Sequence, residues 1–165
     1  MTSRRPVLAL LTLLFAAACE RAHTEQVDGG RVMSFETRTI RIATGADTVV
    51  VHAEVARSAE QRTMGLMERA SLAPDSGMLF MYETEQPGTS GFWMYRTRIP
   101  LDIAFADSMG TINAILTMQP CTATLAAGCP SYNPNVGYRY ALEVNAGFFA
   151  RRGVRIGSKI VLAGK

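Results

Sequence analysis

From Arg38 onward, polar and apolar positions alternate in short stretches. Ile40 and Ile42 share one face of residues 38–42. In residues 48–55, Val49, Val51, Ala53 and Val55 face one way, and Val50, His52 and Glu54 the other. A period of two is that of a half-buried strand. Gly45-Ala46-Asp47 suits a hairpin turn between these stretches. Ser58, with Gln61 three residues on, makes a capping box that predicts a short helix to about Leu66. Short apolar runs follow at 78–82, 92–94, 101–106, 111–118, 140–144 and 160–162, with a hairpin loop at 107–110. Residues 148–152 predict one turn of helix closed by Gly153, and residues 153–162 a turn feeding a last, closing strand. Many short strands with little helix predict a mostly β (α+β) domain: a single small β-barrel or rolled sheet with one or two short helices.

The amino terminus follows another pattern. Arg4 and Arg5 precede a 12-residue stretch, Val7 to Ala18, that is apolar except for Thr12. This is shorter than the roughly 20 residues that span a bilayer and matches the apolar region of a signal peptide. Ala16-Ala17-Ala18-Cys19 resembles a bacterial lipobox, although that pattern prefers Leu where Ala16 stands. Residues 1–18 are therefore expected to be a signal peptide and Cys19 a lipidated residue. A lipid anchor would hold the chain on the periplasmic side of a bacterial membrane. Glu20, in place of the Asp common in retention signals, favours the outer membrane. Residues 19–37 are polar, contain Gly29-Gly30 and lack a usable period, so a flexible tether is expected there, with one domain over 38–165.

Composition sharpens this picture. The 165 residues, 48% hydrophobic and 19% charged, are those of one globular domain. The formal charge of +3 falls to +1 once Arg4 and Arg5 leave with the signal peptide, so the basic balance belongs partly to export. With no basic stripe or reading motif, nucleic acid is not an expected partner. If Cys19 carries lipid, Cys121 and Cys129 can pair only with each other. The loop between them is short, Pro120 and Pro130 lie just outside, and the compartment is oxidising. A structural disulfide is the expectation; the spacing fits neither CxxC nor a zinc knuckle.

Four segments in order carry a family resemblance: Glu60-Gln61-Arg62-Thr63-Met64-Gly65-Leu66-Met67, Gly77-Met78-Leu79-Phe80, Phe92-Trp93-Met94 through Leu101-Asp102-Ile103-Ala104-Phe105, and Leu142-Glu143-Val144-Asn145-Ala146-Gly147. Over about residues 48–163 the chain resembles domain of unknown function 192, a bacterial and archaeal family. The resemblance implies a small, mostly β domain, often behind a signal or lipid anchor, and no established reaction. The chain departs from the family's tendency at Tyr95 and Arg96, where Lys-Asn is usual, and at Ser158, where Asp is common.

Candidate chemistry concentrates in residues 93–102, which hold aromatic, hydroxyl, cationic and carboxyl groups. Trp93, the sole tryptophan, offers a flat apolar platform, and Arg96 and Arg98 could bind anionic or hydroxylated groups. Glu143 lies within an apolar strand, where a carboxylate needs a partner. Arg62, Trp93, Thr97, Asp102, Glu143 and Asn145 are the candidate ligand-binding residues. They could orient a small polar ligand in an envelope-anchored binding or accessory domain. Alternatively, Arg62 or Arg69 satisfies Glu143, Asp102 caps a turn and Trp93 is core, leaving a structural module that docks an envelope protein. A hydrolase would rest on Asp102 with Glu143; no G-x-S-x-G, HExxH or SxxK pattern occurs, and no catalytic residue is assigned. The Met64–Met67 and Met78–Met81 pairs could offer thioethers to Cu(I), but interleaved Leu66, Leu79 and Phe80 favour core filling. No metal or other cofactor is therefore expected.

Overall fold

The alternating segments pair into one strongly curled sheet. The structure, a computed structural model, describes residues 23–28 and 31–162. In chain order its strands are β1 (His23–Asp28), β2 (Arg31–Ala43), β3 (Thr48–Ala56), β4 (Ser76–Gln86), β5 (Leu101–Ala106), β6 (Ile112–Met118), β7 (Tyr138–Asn145) and β8 (Lys159–Val161). The helices are α1 (Ala59–Met64) and α2 (Phe148–Arg151), with a 3-10 turn at Ala126–Gly128. The sheet runs β1-β2-β3-β4-β7-β5-β6, and β8 pairs β2. Among the described strands only β3 and β4 pair in parallel, and the crossover between them carries α1. This is the rolled, mostly β sheet with two short helices that the alternation predicts.

Local chemistry accounts for the elements. The Ser58 hydroxyl accepts from the Gln61 N–H at 3.1 Å, and the Gln61 side chain accepts from the Ser58 N–H at 3.0 Å. The Gln61 amide also donates to the Ser34 carbonyl at 2.9 Å, binding the helix to β2. Gly65, at φ 49°, ends α1 at Met64, two residues before the expected stop. Residues 92–94 form no strand; Phe92 makes only an isolated bridge to Tyr132.

Because side chains alternate, the sheet carries two cores. One face gathers Met78, Phe80, Leu101, Ile103, Phe105 and Ala141 with Phe35 and the residues after α1. The other gathers Leu79, Ala104, Leu142 and Val144 with Val49, Val51 and the α2 phenylalanines. Phe35 is fully buried, and β1 pairs antiparallel with β2 from Asp28↔Arg31 to His23↔Glu36. The stretch expected to be a tether thus forms a hairpin from His23 onward, and the packed domain begins before Arg38. The physical reason is that Phe35, with Met33 beside it, gives this otherwise polar strand an apolar face to bury. Residues 1–22, with the expected signal peptide and Cys19, lie outside the described residues. Among the described residues no helix is long and apolar enough to cross a membrane.

Two short connections complete the curl. Cys121 and Cys129 form a disulfide. β8 is held on β2 by the Arg41↔Val161 to Ala43↔Lys159 register, and on the β5–β6 hairpin by Ile160 N–H to the Gly110 carbonyl at 2.8 Å and Ile112 N–H to the Ser158 carbonyl at 2.8 Å. The buried Ser158 serves as a turn acceptor: its hydroxyl takes the Arg155 N–H at 3.0 Å. Gly110 has φ 82°, and a Cβ there would overlap the Ile160 carbonyl oxygen. Gly110→Ala is therefore expected to destabilise the protein by at least about 2 kcal/mol, combining left-handed strain with a disturbed ladder. Thermal unfolding monitored by circular dichroism should show a melting point lower by roughly 5–10 °C.

Candidate functional site

Glu143 occupies the middle of β7, opposite Met78 of β4 on one side and Ile103 of β5 on the other. Continuing across β3, Glu54 stands opposite Met78. Two carboxyls therefore share one row of the same sheet face, and both are almost fully buried, with Glu54 7% and Glu143 4% exposed. Their surroundings differ. Glu54 meets the Arg69 guanidinium at 2.5 Å. Among the described residues, Glu143 has no ion-pair partner and accepts no hydrogen bond. Desolvation pushes its carboxyl up from an ordinary value of 4.5 to about 8, so at neutral pH it is mostly the uncharged acid.

The Glu143 side chain forms part of the floor of a cleft of about 420 Å³. Helix α1 and the turn after it supply Arg62, Thr63 and Met64; β4 supplies Phe80 and Tyr82; the 91–97 segment supplies Phe92, Trp93, Tyr95 and Thr97. The Arg62 guanidinium stacks over the Tyr82 ring at 4.7 Å. It also donates to the Arg57 carbonyl and, at 3.3 Å, to the Met81 carbonyl. Burial raises the Tyr82 hydroxyl above the usual phenol range; its contact with Tyr138 and the Arg62 charge oppose that shift, and Glu143 adds to it. Trp93 stands at the mouth, 45% exposed, tilted against Tyr95 with ring centres 6.5 Å apart. An adjoining groove is lined by Met33, Met64, Met67, Trp93 and Tyr95.

Residues 94–98 are clamped from below. Glu68 N–H donates to the Arg96 carbonyl at 2.8 Å, and the Glu68 carboxylate binds Arg96 at 2.6 Å as well as Arg98. These two guanidiniums hold the Glu68 carboxyl below the usual range. Glu68 (φ 60°) and Arg96 (φ 56°) both adopt the left-handed conformation. Asn adopts that backbone more readily than Arg. Arg96 and Arg98, expected as ligand-binding cations, spend their charge on Glu68.

Of the six candidate ligand residues, Arg62, Trp93, Thr97 and Glu143 line the cleft, and Asp102 and Asn145 do not. Ile103, not Asp102, faces Glu143 across the strands, so the period of two turns Asp102 to the other side of the sheet, where it accepts from Thr117 at 2.8 Å. The Asp102–Glu143 pair that a hydrolase would need is not assembled. Asn145 instead donates to the Leu72 and Ala73 carbonyls at 3.1 and 3.0 Å, pinning the crossover loop. Met78 and Met81 likewise fall on opposite faces of β4 and cannot hold one ion together. Among the described residues no group of three His, Cys, Asp or Glu side chains could hold a metal ion. Thr63, Tyr82 and Phe92 also line the cleft and are not among the six; the Met78-Phe80-Tyr82 alternation places Tyr82 on the Glu143 face and is the signal that could have revealed it.

A single rolled β-domain with a buried acid beneath an aromatic cleft is the class of protein that fold and site define. The chain belongs to the DUF192 family (domain of unknown function 192), described as "Uncharacterized ACR", whose model matches residues 40–162. Among solved structures it is similar to a protein of Sinorhizobium meliloti 1021 described as a proposed transcription regulator, with 33% identity, a TM-score of 0.69, and coverage of 77% of this chain and 94% of that one. A protein of unknown function from Novosphingobium aromaticivorans DSM 12444 shares the fold at 24% identity and a TM-score of 0.67, over 92% of this chain and 100% of that one. Among curated proteins none matches.

Glu143 has a consequence for stability. The unfolded chain releases this proton near pH 4.5, whereas the folded chain keeps it until about pH 8. Between these values the folded state binds more protons, so stability is fullest below the lower value and declines as pH rises through the upper one. Glu143→Gln should remove that decline and exceed the parent at pH 9 by on the order of a few kcal/mol. Urea unfolding at pH 5, 7 and 9 on both proteins is the measurement.

Proposed function

We propose that this protein is a lipid-anchored binding protein of the bacterial cell envelope that holds a small polar ligand in the Glu143 cleft. One observation carries the reading: a buried carboxyl with no partner among the described residues faces an open cleft. Burying such a group costs free energy that a filled core would not tolerate without compensation. Groups that weaken folding in this way concentrate where a ligand supplies the missing partner. In this reading Glu143 orients the ligand's polar group, and Thr97 and Thr63 offer hydroxyls. Tyr82 and Phe92 pack its apolar part, Arg62 borders the site, and Trp93 covers the mouth.

Export and anchoring rest on residues 1–19 and are supported by the Cys121–Cys129 bond, which suits an oxidising compartment. Binding is favoured over hydrolysis because Asp102 belongs to the opposite face. The regulator description of the Sinorhizobium relative is not carried over: α1 and α2, with 6 and 4 residues, are shorter than a groove-reading helix.

Trp93 is the sole tryptophan, so intrinsic fluorescence reports directly on the cleft. Titrations with monosaccharides, amino acids and alkyl amines should find at least one class that shifts emission and raises the melting point. Glu143→Gln should weaken that response by roughly tenfold or more. If no class produces a change, the binding reading is wrong. For the anchor, Cys19→Ser is expected to move the protein from the membrane pellet to the soluble periplasmic fraction; continued pelleting would refute lipid attachment at Cys19.

A further inference from the structure

We propose that the cleft is built for a ligand bearing a primary ammonium group, which takes Glu143 as its counter-ion among the rings of Tyr82, Phe92 and Trp93. This inference rests on the binding reading above and names the ligand class for the same site.

The row of carboxyls supplies the argument. Glu54 and Glu143 occupy the same sheet face at similar burial, and Glu54 has Arg69 as its cation. Among the described residues no cation takes the corresponding position beside Glu143. The charged and titratable groups that approach from the packed elements do not fill it. On α1, Arg62 is held by the Arg57 and Met81 carbonyls and by the Tyr82 ring. On β4, the Tyr82 phenol is neutral and held high by burial. On β7, Arg139 donates to the Tyr82 carbonyl at 3.0 Å. Beyond the 91–97 segment, Arg98 pairs with Glu68, as does Arg96. β5 presents Ile103, with Asp102 on the far side. None of the described residues therefore supplies the cation that would complete Glu143, and in this proposal the ligand brings it.

The walls suit the same chemistry. Aromatic faces attract a desolvated ammonium, and thioethers are soft, adaptable neighbours for its carbon chain. Phe80, Tyr82, Phe92, Trp93 and Met64 line the cleft. A carboxylate ligand would meet a carboxyl that already resists ionisation. A neutral alcohol could accept the Glu143 proton in a hydrogen bond but would leave the protonation state unchanged.

That difference sets the test. In the free protein at pH 7 Glu143 is mainly protonated. A primary amine arrives as R–NH3+. Pairing leaves Glu143 as carboxylate, and the acid's proton passes to the buffer. About 0.9 proton should be released per ligand at pH 7. Affinity should rise by about tenfold per pH unit between pH 6 and 7.5 and flatten above pH 8.

The probes are phenethylamine, phenethyl alcohol and phenylacetate, of similar apolar body and different charge, titrated by calorimetry into the detergent-solubilised full chain. Two buffers of different ionisation enthalpy reveal proton release. The expected result is that phenethylamine binds at least about tenfold tighter than either analogue, with proton release. Glu143→Gln, checked for folding by its melting curve, should lose both the preference and the proton release. Binding of the alcohol as tight as the amine, or amine binding without proton release, overturns the ammonium assignment. If sugars or other neutral ligands bind and the amine does not, this inference falls while the binding function stands. If the amine and every class named above fail to bind, both fall.

Discussion

β7 is hydrogen-bonded on both edges, to β4 and to β5, and its neighbours press apolar side chains on it from both faces. Within that strand Glu143 is the single acid. A carboxyl there is almost wholly withdrawn from water, the partner a solitary acid ordinarily has. The surrounding structure therefore either supplies a cation, as Arg69 does for Glu54, or leaves the acid protonated beneath an opening. The latter arrangement is the one present, and α1 together with the aromatic 91–97 segment forms the rim of that opening.

The rim is held by devices of several kinds. Helix α1 is capped at its start by Ser58 and Gln61 and bound to β2 through Ser34. The 94–98 segment is clamped by Glu68, with two residues in left-handed backbone facing one another. Tyr95 bridges to Cys121, whose disulfide to Cys129 shortens the neighbouring loop. Loops restrained in this way keep aromatic side chains in place without burying them, which a solvent-facing cleft requires. The same restraints explain why Arg96 and Arg98, conspicuous in the sequence, are occupied with holding the wall.

Much of the fold was legible because alternation is a local signal. Ile40 and Ile42, Val49 to Val55 and residues 101–106 declare strands by their own spacing, and Ser58 with Gln61 declares a helix start. The β1–β2 hairpin was not legible, since polar residues dominate it and it is the burial of Phe35, with Met33 packed beside the same core, that reveals the segment as packed. In the site, Arg62, Trp93, Thr97 and Glu143 converge as their residue types suggested. Asp102 and Asn145 separate from them: one residue of register turns Asp102 to the other face, and Asn145 finds backbone carbonyls at the strand's end.

By itself, then, the sequence determined the period of two, the capping box, the cysteine pair and an acid in an apolar strand, each a property of near neighbours in the chain. Which cation meets which acid was decided only by tertiary structure. By sequence either Arg62 or Arg69 could be the cation that satisfies Glu143. Strand order and register then bring Arg69 to Glu54, while Arg62 is bound by carbonyls and the Tyr82 ring. Electrostatic pairing is short-ranged in a protein and indifferent to chain separation, so the open partner position at Glu143 exists only once the sheet has curled.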